Sequence, residues 1–217
     1  MHLNRERGFS LVELMIAMVA GLILVAAVTS LFATILRANS TAIKVSHLNQ
    51  EIQAITDMMA RDITRAGYDA SAATATRLVS GAVPSPFYFN TSKDVGNNCI
   101  IVRYDGRDES APSSANGEMD PNEGIVYSYR ADNSVWLVEL SGAVSSHVST
   151  LPECSSGGNR ISTDNTIEIT QLTYNLLASS QVSGARAIQL NISGRYKDTP
   201  ALTLNLQRDI KLRNDGH

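Results

Sequence analysis

The chain has 217 residues, of which 43% are apolar and 18% charged, and its formal net charge is −3. This balance offers no basic surface to a nucleic acid, and two cysteines are too few for a disulfide-dense scaffold or a four-cysteine zinc site. The charges are unevenly spread, since the 23 residues at positions 14–36 include no Asp, Glu, Lys or Arg. That run argues against a purely soluble protein. No second run of that length exists, which argues against a polytopic membrane protein.

A short basic stretch precedes this apolar run. A secretory signal peptide has an apolar core of about 7–15 residues and then a small-residue cleavage site. Residues 14–36 form a longer run, and no clear cleavage site follows it. A plain membrane anchor needs about 20 apolar residues, and Arg5 and Arg7 would keep its N-terminus cytoplasmic. A plain anchor does not explain Glu13, because a carboxylate next to lipid is costly and indicates a function and a partner.

Gly8, Phe9 and Glu13 stand at fixed offsets in the string GFSLVEL, which begins at position 8. This string resembles the class III leader of type IV prepilins. The resemblance implies that residues 1–8 are a leader, that prepilin peptidase cleaves after Gly8, and that the new N-terminal Phe9 is methylated. It also implies that Glu13, the fifth mature residue, pairs with the N-terminal amine of a neighbouring subunit. The family's tip subunit commonly lacks this glutamate, so its presence suggests a place below another subunit.

Apolar residues recur at helical spacing beyond the run. They are Leu48, Ile52, Ile55, Met59, Ile63 and Ala66, and the opposite face carries Asn49, Gln53, Asp57 and Arg61. No proline occurs before Pro84, and Gly67 is a natural helix stop. We therefore predict one long helix, with a transmembrane or filament-core part at residues 9–36 and an amphipathic part at 37–67.

The rest of the chain predicts short strands. Residues 68–98 are rich in Ala, Ser, Thr and Pro and predict a loop. Strand-like runs follow at residues 99–104, 125–130, 135–140, 167–177, 186–196 and 201–213. The second and third runs predict one hairpin, and the last two predict another with one apolar face. A helix followed by strands indicates an α+β fold, in which an antiparallel sheet packs on the apolar stripe of the helix.

Two further segments extend the resemblance. Residues 61–68 are similar to the end of the long helix in PilW-type minor pilins and their type II secretion counterparts, and residues 202–214 are similar to their last strand. Many major pilins carry a proline at the twenty-second mature position, where this chain has Ser30, so the resemblance favours a minor subunit. It implies a type IV pilin-like fold with residues 68–217 as a periplasmic β domain.

The resemblance places Cys99 and Cys154 in the exported part of the chain. An oxidising compartment favours one disulfide between them, and two buried free thiols are the alternative. A closed loop of about 55 residues would contribute roughly 4 kcal/mol of stability on chain-entropy grounds.

No other pattern predicts a chemical site. Residues 105–124 are acidic, and Asn116, Glu118, Asp120 and Asn122 alternate as calcium ligands can, but the glycine and glutamate spacing of a calcium loop is missing. We expect a solvated loop there. The four histidines form no cluster, and no nucleophile elbow, phosphate loop or HExxH motif occurs. We therefore expect no metal, no cofactor and no enzymatic activity.

The resemblance implies a minor pilin that enters a type IV pilus and helps prime its assembly, with roles in adhesion and twitching motility. The expected partners are prepilin peptidase, the other minor pilins and the major pilin. Before assembly, the chain would be a single-pass protein of the inner membrane with its C-terminal domain in the periplasm. After assembly, it would be part of the pilus at the cell surface. Removal of the leader, with two arginines and one glutamate, changes the net charge from −3 to −4, so no nucleic-acid partner is expected. The alternatives are a minor pseudopilin of type II secretion and a stably anchored periplasmic binding domain.

Overall fold

The computed structural model describes residue 8 and residues 10–68, 89–91, 98–106, 123–140, 152–163, 165–177 and 187–213. Within these ranges the chain forms a helix, α1 (Leu11–Arg65), then eight strands and a 3-10 turn at Pro152–Cys154. The strands are β1 (Phe89–Thr91), β2 (Cys99–Arg103), β3 (Gly124–Arg130), β4 (Ser134–Glu139), β5 (Asn159–Arg160), β6 (Ile167–Leu177), β7 (Ala187–Tyr196) and β8 (Thr199–Lys211).

The chain divides into two compact units, Met1–Ser46 and His47–His217. The described part of the first unit is helical from Leu11 onward, and neither Gly21 nor Ser30 interrupts the helix. Its large apolar side chains are exposed, as Leu22 at 70% and Phe32 at 61% illustrate. Among the described residues, α1 is the one helix long and apolar enough to span a bilayer.

The amphipathic stripe predicted for the second part of α1 is confirmed. Its six apolar residues are all buried, and the four polar residues of the opposite face are exposed. The buried stripe belongs to one core cluster that includes Tyr127 of β3, Leu172 of β6 and Ile192 of β7. This cluster is the main core of the second unit, and it positions the strands against the helix.

Gly67 ends α1 as predicted. Its φ angle of 78° lies in the left-handed region, which glycine adopts without a steric penalty. The backbone N–H of Gly67 donates to the carbonyl of Arg103 at 3.0 Å. The end of the helix is thereby joined to the end of β2.

The strands form two antiparallel sheets, where the sequence predicted one. Their orders are β1-β2-β3-β4-β5 and β6-β7-β8. The six predicted strands correspond to β2, β3, β4, β6, β7 and β8, and the two predicted hairpins are confirmed as β3–β4 and β7–β8. The α+β fold with a long N-terminal helix is therefore confirmed, with its strands divided between two sheets.

Two short strands were not predicted. β1 corrects the prediction of a loop over residues 68–98, because Phe89–Thr91 pairs with β2. β5 pairs with β4 through only two residue pairs. Strands of two or three residues carry no readable period-2 pattern, so their conformation is set by the longer strands they pair with. The remaining residues of the predicted loop, at 69–88 and 92–97, lie outside the described ranges.

Arg208 breaks the apolar alternation of β8 for a structural reason. It stands opposite Leu190 in the β7–β8 ladder and forms an ion pair with Asp57 on the polar side of α1. A few residues further on, the N–H of Arg213 donates to the carbonyl of Thr64 at 3.1 Å. These two contacts tie the last strand to the second part of α1.

Candidate functional site

Gly8 is exposed, and a Cβ built at this position meets no atom within 4 Å. The fold of the described residues therefore imposes no requirement for glycine at position 8. A requirement for glycine there would come instead from the peptidase that is expected to cleave the chain, since close backbone approach favours a residue without a side chain. Phe9 and the leader residues 1–7 lie outside the described ranges.

Glu13 lies in the first turn of α1, where a negative charge interacts favourably with the helix dipole. Its side chain is exposed, and the helix around it carries exposed apolar residues such as Leu11 at 73% and Ile16 at 65%. No hydrogen bond or ion pair joins its carboxylate to another residue within the described ranges. Within the described ranges, the carboxylate of Glu13 therefore lies among exposed apolar side chains without an intramolecular partner.

The structure contains the predicted disulfide between Cys99 and Cys154, with their Cα atoms 5.8 Å apart. Free thiols at these positions are excluded, because no cysteine of the chain is unpaired in the structure. Cys99 begins β2 and Cys154 ends the 3-10 turn. Both belong to a second, smaller core cluster with Ile101, Val126, Val138 and Leu140.

We predict that both cysteines are oxidised in protein taken from the envelope of the cell. After denaturation without a reductant, an alkylating reagent should label neither Cys99 nor Cys154. The same treatment after reduction should label both and serves as the control. Two labelled thiols in the unreduced sample would contradict the bridge.

Arg130, at the end of β3, binds the segment that carries Cys154. Its guanidinium donates to four backbone carbonyls, which we call the carbonyl cage: Glu153 at 3.0 Å, Cys154 at 3.3 Å, Ser156 at 3.0 Å and Gly157 at 2.9 Å. Sequence analysis missed this residue. Its partners are backbone atoms 23–27 positions away, and no side-chain pattern in the sequence identifies them.

The Arg130 guanidinium also lies over the ring of Trp136 of β4. The guanidinium carbon lies 4.6 Å from the ring centroid, within the range of a cation–π contact. The indole N–H of Trp136 donates to the Asp132 carboxylate at 3.0 Å and to the Ser134 hydroxyl at 2.9 Å, which fixes the ring. Burial lowers the pKa of Arg130, and the nearby Asp132 charge acts in the opposite direction.

Gly158 should not tolerate a side chain, because an added Cβ would lie 2.2 Å from the carbonyl oxygen of Leu137 and 2.6 Å from Val138 Cγ2. Its φ of +79° adds strain for any other residue. We expect Gly158→Ala to lower the free energy of unfolding by about 2–5 kcal/mol. Gly157 is the matched control, since its φ is +74° but nothing lies within 4 Å. Gly157→Ala should cost about 1–2 kcal/mol. Denaturant unfolding of both full-length variants measures the difference, and equal losses would contradict the close approach.

A polar cluster joins the two sheets at the β3–β4 turn. The side-chain amide of Asn133 donates to Glu168 at 2.7 Å, and Arg195 donates to the other oxygen of Glu168 at 2.7 Å. The Tyr129 hydroxyl contacts both the Asn133 side chain and the Ile169 carbonyl. The hydrogen bond from Arg195 lowers the pKa of the Glu168 carboxyl. This cluster therefore links the five-stranded sheet to the three-stranded one.

Asp62 connects α1 to the five-stranded sheet. Its two carboxylate oxygens accept hydrogen bonds from the hydroxyls of Tyr104 at 2.7 Å and Tyr127 at 2.5 Å. Hydrogen bonds to a charged acceptor are stronger than neutral ones, so this pair fixes the rotation of the helix on the sheet. The sequence indicated no role for Asp62, because its partners lie 42 and 65 residues away.

The acidic stretch is described only at its ends, and residues 107–122 lie outside the described ranges. At those ends, Asp105 is 2% and Glu123 0% exposed, so the prediction of a wholly solvated loop is wrong there. The Glu123 carboxylate accepts a hydrogen bond from the N–H of Gly106 at 2.7 Å, which closes the base of the stretch. Across the described part of the chain, no group of three His, Cys, Asp or Glu side chains could hold a metal ion.

Comparisons with known proteins give two family matches. The prokaryotic N-terminal methylation motif matches residues 3–29, a segment that contains Gly8, Phe9 and Glu13. Prepilin peptidase-dependent protein B matches residues 41–212, which is more than half of the chain. No curated protein and no solved structure matches significantly.

Proposed function

The chain belongs to the prepilin peptidase-dependent protein B family of pilin-like proteins, and from this membership we propose that it is a minor pilin of a type IV pilus. In this proposal it enters the pilus and helps to prime its assembly. It would thereby contribute to adhesion and twitching motility. Its role is structural, without catalysis of its own.

The observation that carries the proposal is the exposed apolar surface of α1 next to a methylation motif. Sixteen large apolar side chains between Leu11 and Leu36 are exposed. Leaving each of these side chains in water rather than burying it costs about 1.5–3 kcal/mol, so burial of the whole segment stabilises it by tens of kcal/mol. Lipid would bury these side chains before assembly, and the helices of neighbouring subunits would bury them in a filament. Because lipid tails and apolar side chains are similar solvents, the transfer between them needs little driving force.

The charges flanking this segment support an orientation in the membrane. Arg5 and Arg7 precede the span and would remain on the cytoplasmic side of the inner membrane. The unit His47–His217 would then lie in the periplasm, where the Cys99–Cys154 disulfide is stable. Prepilin peptidase would remove the leader, after which the other minor pilins and the major pilin become the partners.

A type II secretion pseudopilin would use the same leader and helix, so the experiment must separate the two assemblies. We expect deletion of the gene to reduce the number of pili per cell without loss of protein secretion. Complementation with the full-length chain should restore the pili. If secretion fails and pili are unaffected, the chain is a pseudopilin and the pilus assignment is wrong. If neither the number of pili nor secretion changes, the chain is a stably anchored binding domain, and both the pilus and the pseudopilin assignments are wrong.

A further inference from the structure

Arg130 connects the two cysteines through its own hydrogen bonds. Its Nε donates to the carbonyl of Cys154 and to the hydroxyl of Ser128, both at 3.3 Å. Ser128 is the residue that pairs with Cys99 in the β2–β3 ladder. One side chain therefore contacts Cys154 itself and the cross-strand neighbour of Cys99.

We propose that Arg130 is a positioning residue for the disulfide, which assembles residues 153–157 around its guanidinium and holds Cys154 beside Cys99 before the bond forms. The disulfide then joins Cys99 to a segment, residues 153–157, whose conformation the carbonyl cage has already set. On this account the fold around Cys154 does not depend on oxidation.

The guanidinium is itself held rigidly, as a positioning role requires. Arg130 stands opposite Ser134 at the end of the β3–β4 hairpin, and the Trp136 ring lies against its guanidinium. Hydrogen bonds from a charged donor are stronger than neutral ones, and the planar fork of arginine can serve several acceptors at once. A lysine would keep the charge but would lose this fork.

The reaction that reports this role is thiol–disulfide exchange with oxidised glutathione. One protein thiolate attacks the glutathione disulfide and releases one glutathione. The second protein thiolate then displaces the other glutathione, so that one glutathione disulfide is reduced to two thiols as the protein dithiol is oxidised. The equilibrium constant of this exchange gives the effective concentration of Cys99 and Cys154 relative to each other.

The first experiment measures that constant for the full-length chain in detergent. Arg130→Ala should lower the effective concentration of the thiol pair at least about tenfold, since the docked segment loses its charged donor. The effective concentration in Arg130→Lys should lie between those of Arg130→Ala and the wild type. Arg61→Ala, on the exposed polar face of α1, is the matched control and should leave the constant unchanged. If the exchange equilibrium constant of Arg130→Ala equals that of the wild type, the proposal is wrong.

A second experiment keeps the proposal testable if Arg130→Ala does not fold. Trp136 is the single tryptophan of the chain and lies against Arg130, so its fluorescence reports the site. In Cys99→Ser/Cys154→Ser, the emission maximum should equal that of the oxidised wild type. A Trp136 emission shifted to the value of unfolded protein would show that the disulfide builds the site, and the positioning role would be wrong.

Discussion

Glu13→Ala is expected to leave the chain inserted and cleaved, but absent from the assembly. A carboxylate in apolar surroundings costs several kcal/mol unless it is paired or neutralised, and no described residue of this chain pairs with Glu13. In the proposed assembly, the amine that cleavage would expose on Phe9 of an adjacent subunit would be the available cation. The pair would form only if the two helices are staggered by one helical turn, roughly 5.4 Å. Glu13 would therefore set the axial register of the subunit.

The alanine variant is well suited to lipid, so a failure to assemble cannot be attributed to a failure to insert. Glu13→Gln is the intermediate variant. It should assemble better than Glu13→Ala, because its amide oxygen still accepts a hydrogen bond. The measurement is co-purification of each variant with the other minor pilins, together with the number of pili per cell. If Glu13→Ala is recovered in the complex at the wild-type level, Glu13 does not set the register.

Gly8→Val is expected to abolish removal of the leader. The described residues leave open space around Gly8, so valine would not disturb the fold and would act only on the approach of the peptidase. The uncleaved chain would retain residues 1–8 and would lack the methylated amine of Phe9. Assembly should fail with it, because the partner of Glu13 is never formed.

Gly21→Val is a matched control for this variant. Gly21 also has no atom within 4 Å of an added Cβ, but it lies inside the apolar part of α1. Immunoblotting should show a mature band for Gly21→Val and only the longer precursor for Gly8→Val. Normal processing of Gly8→Val would show that the peptidase does not read position 8.

Periodicity predicted the parts of the fold in which one face is buried over many residues. The stripe from Leu48 to Ala66 repeats over five helical turns, and β6, β7 and β8 are 10–13 residues long, so their patterns are clear in the sequence. The short strands β1 and β5 give no such pattern. The division of the strands into two sheets also escaped prediction, since alternation shows which face is buried and not which strands pair.

The candidate site shows the same limit. The methylation motif could be recognised because it is a short linear string, and the disulfide could be predicted because the chain has two cysteines. The cleavage after Gly8 and the role of Glu13 stay predictions. The roles of Arg130 and Asp62 could not be predicted from the sequence. Each of them acts through backbone atoms or hydroxyls more than 20 positions away, and such contacts exist only once the strands have paired.

The intact mass of the wild-type chain purified from membranes shows whether the chain is processed as a prepilin. We expect a mature chain that begins at Phe9 with one methyl group on its N-terminal amine and retains the Cys99–Cys154 bond. Fragmentation of the N-terminal peptide would place the methyl group on Phe9 itself. A chain that still begins at Met1, or that is cut within residues 14–36 or after them, would contradict the assignment to a prepilin-type subunit.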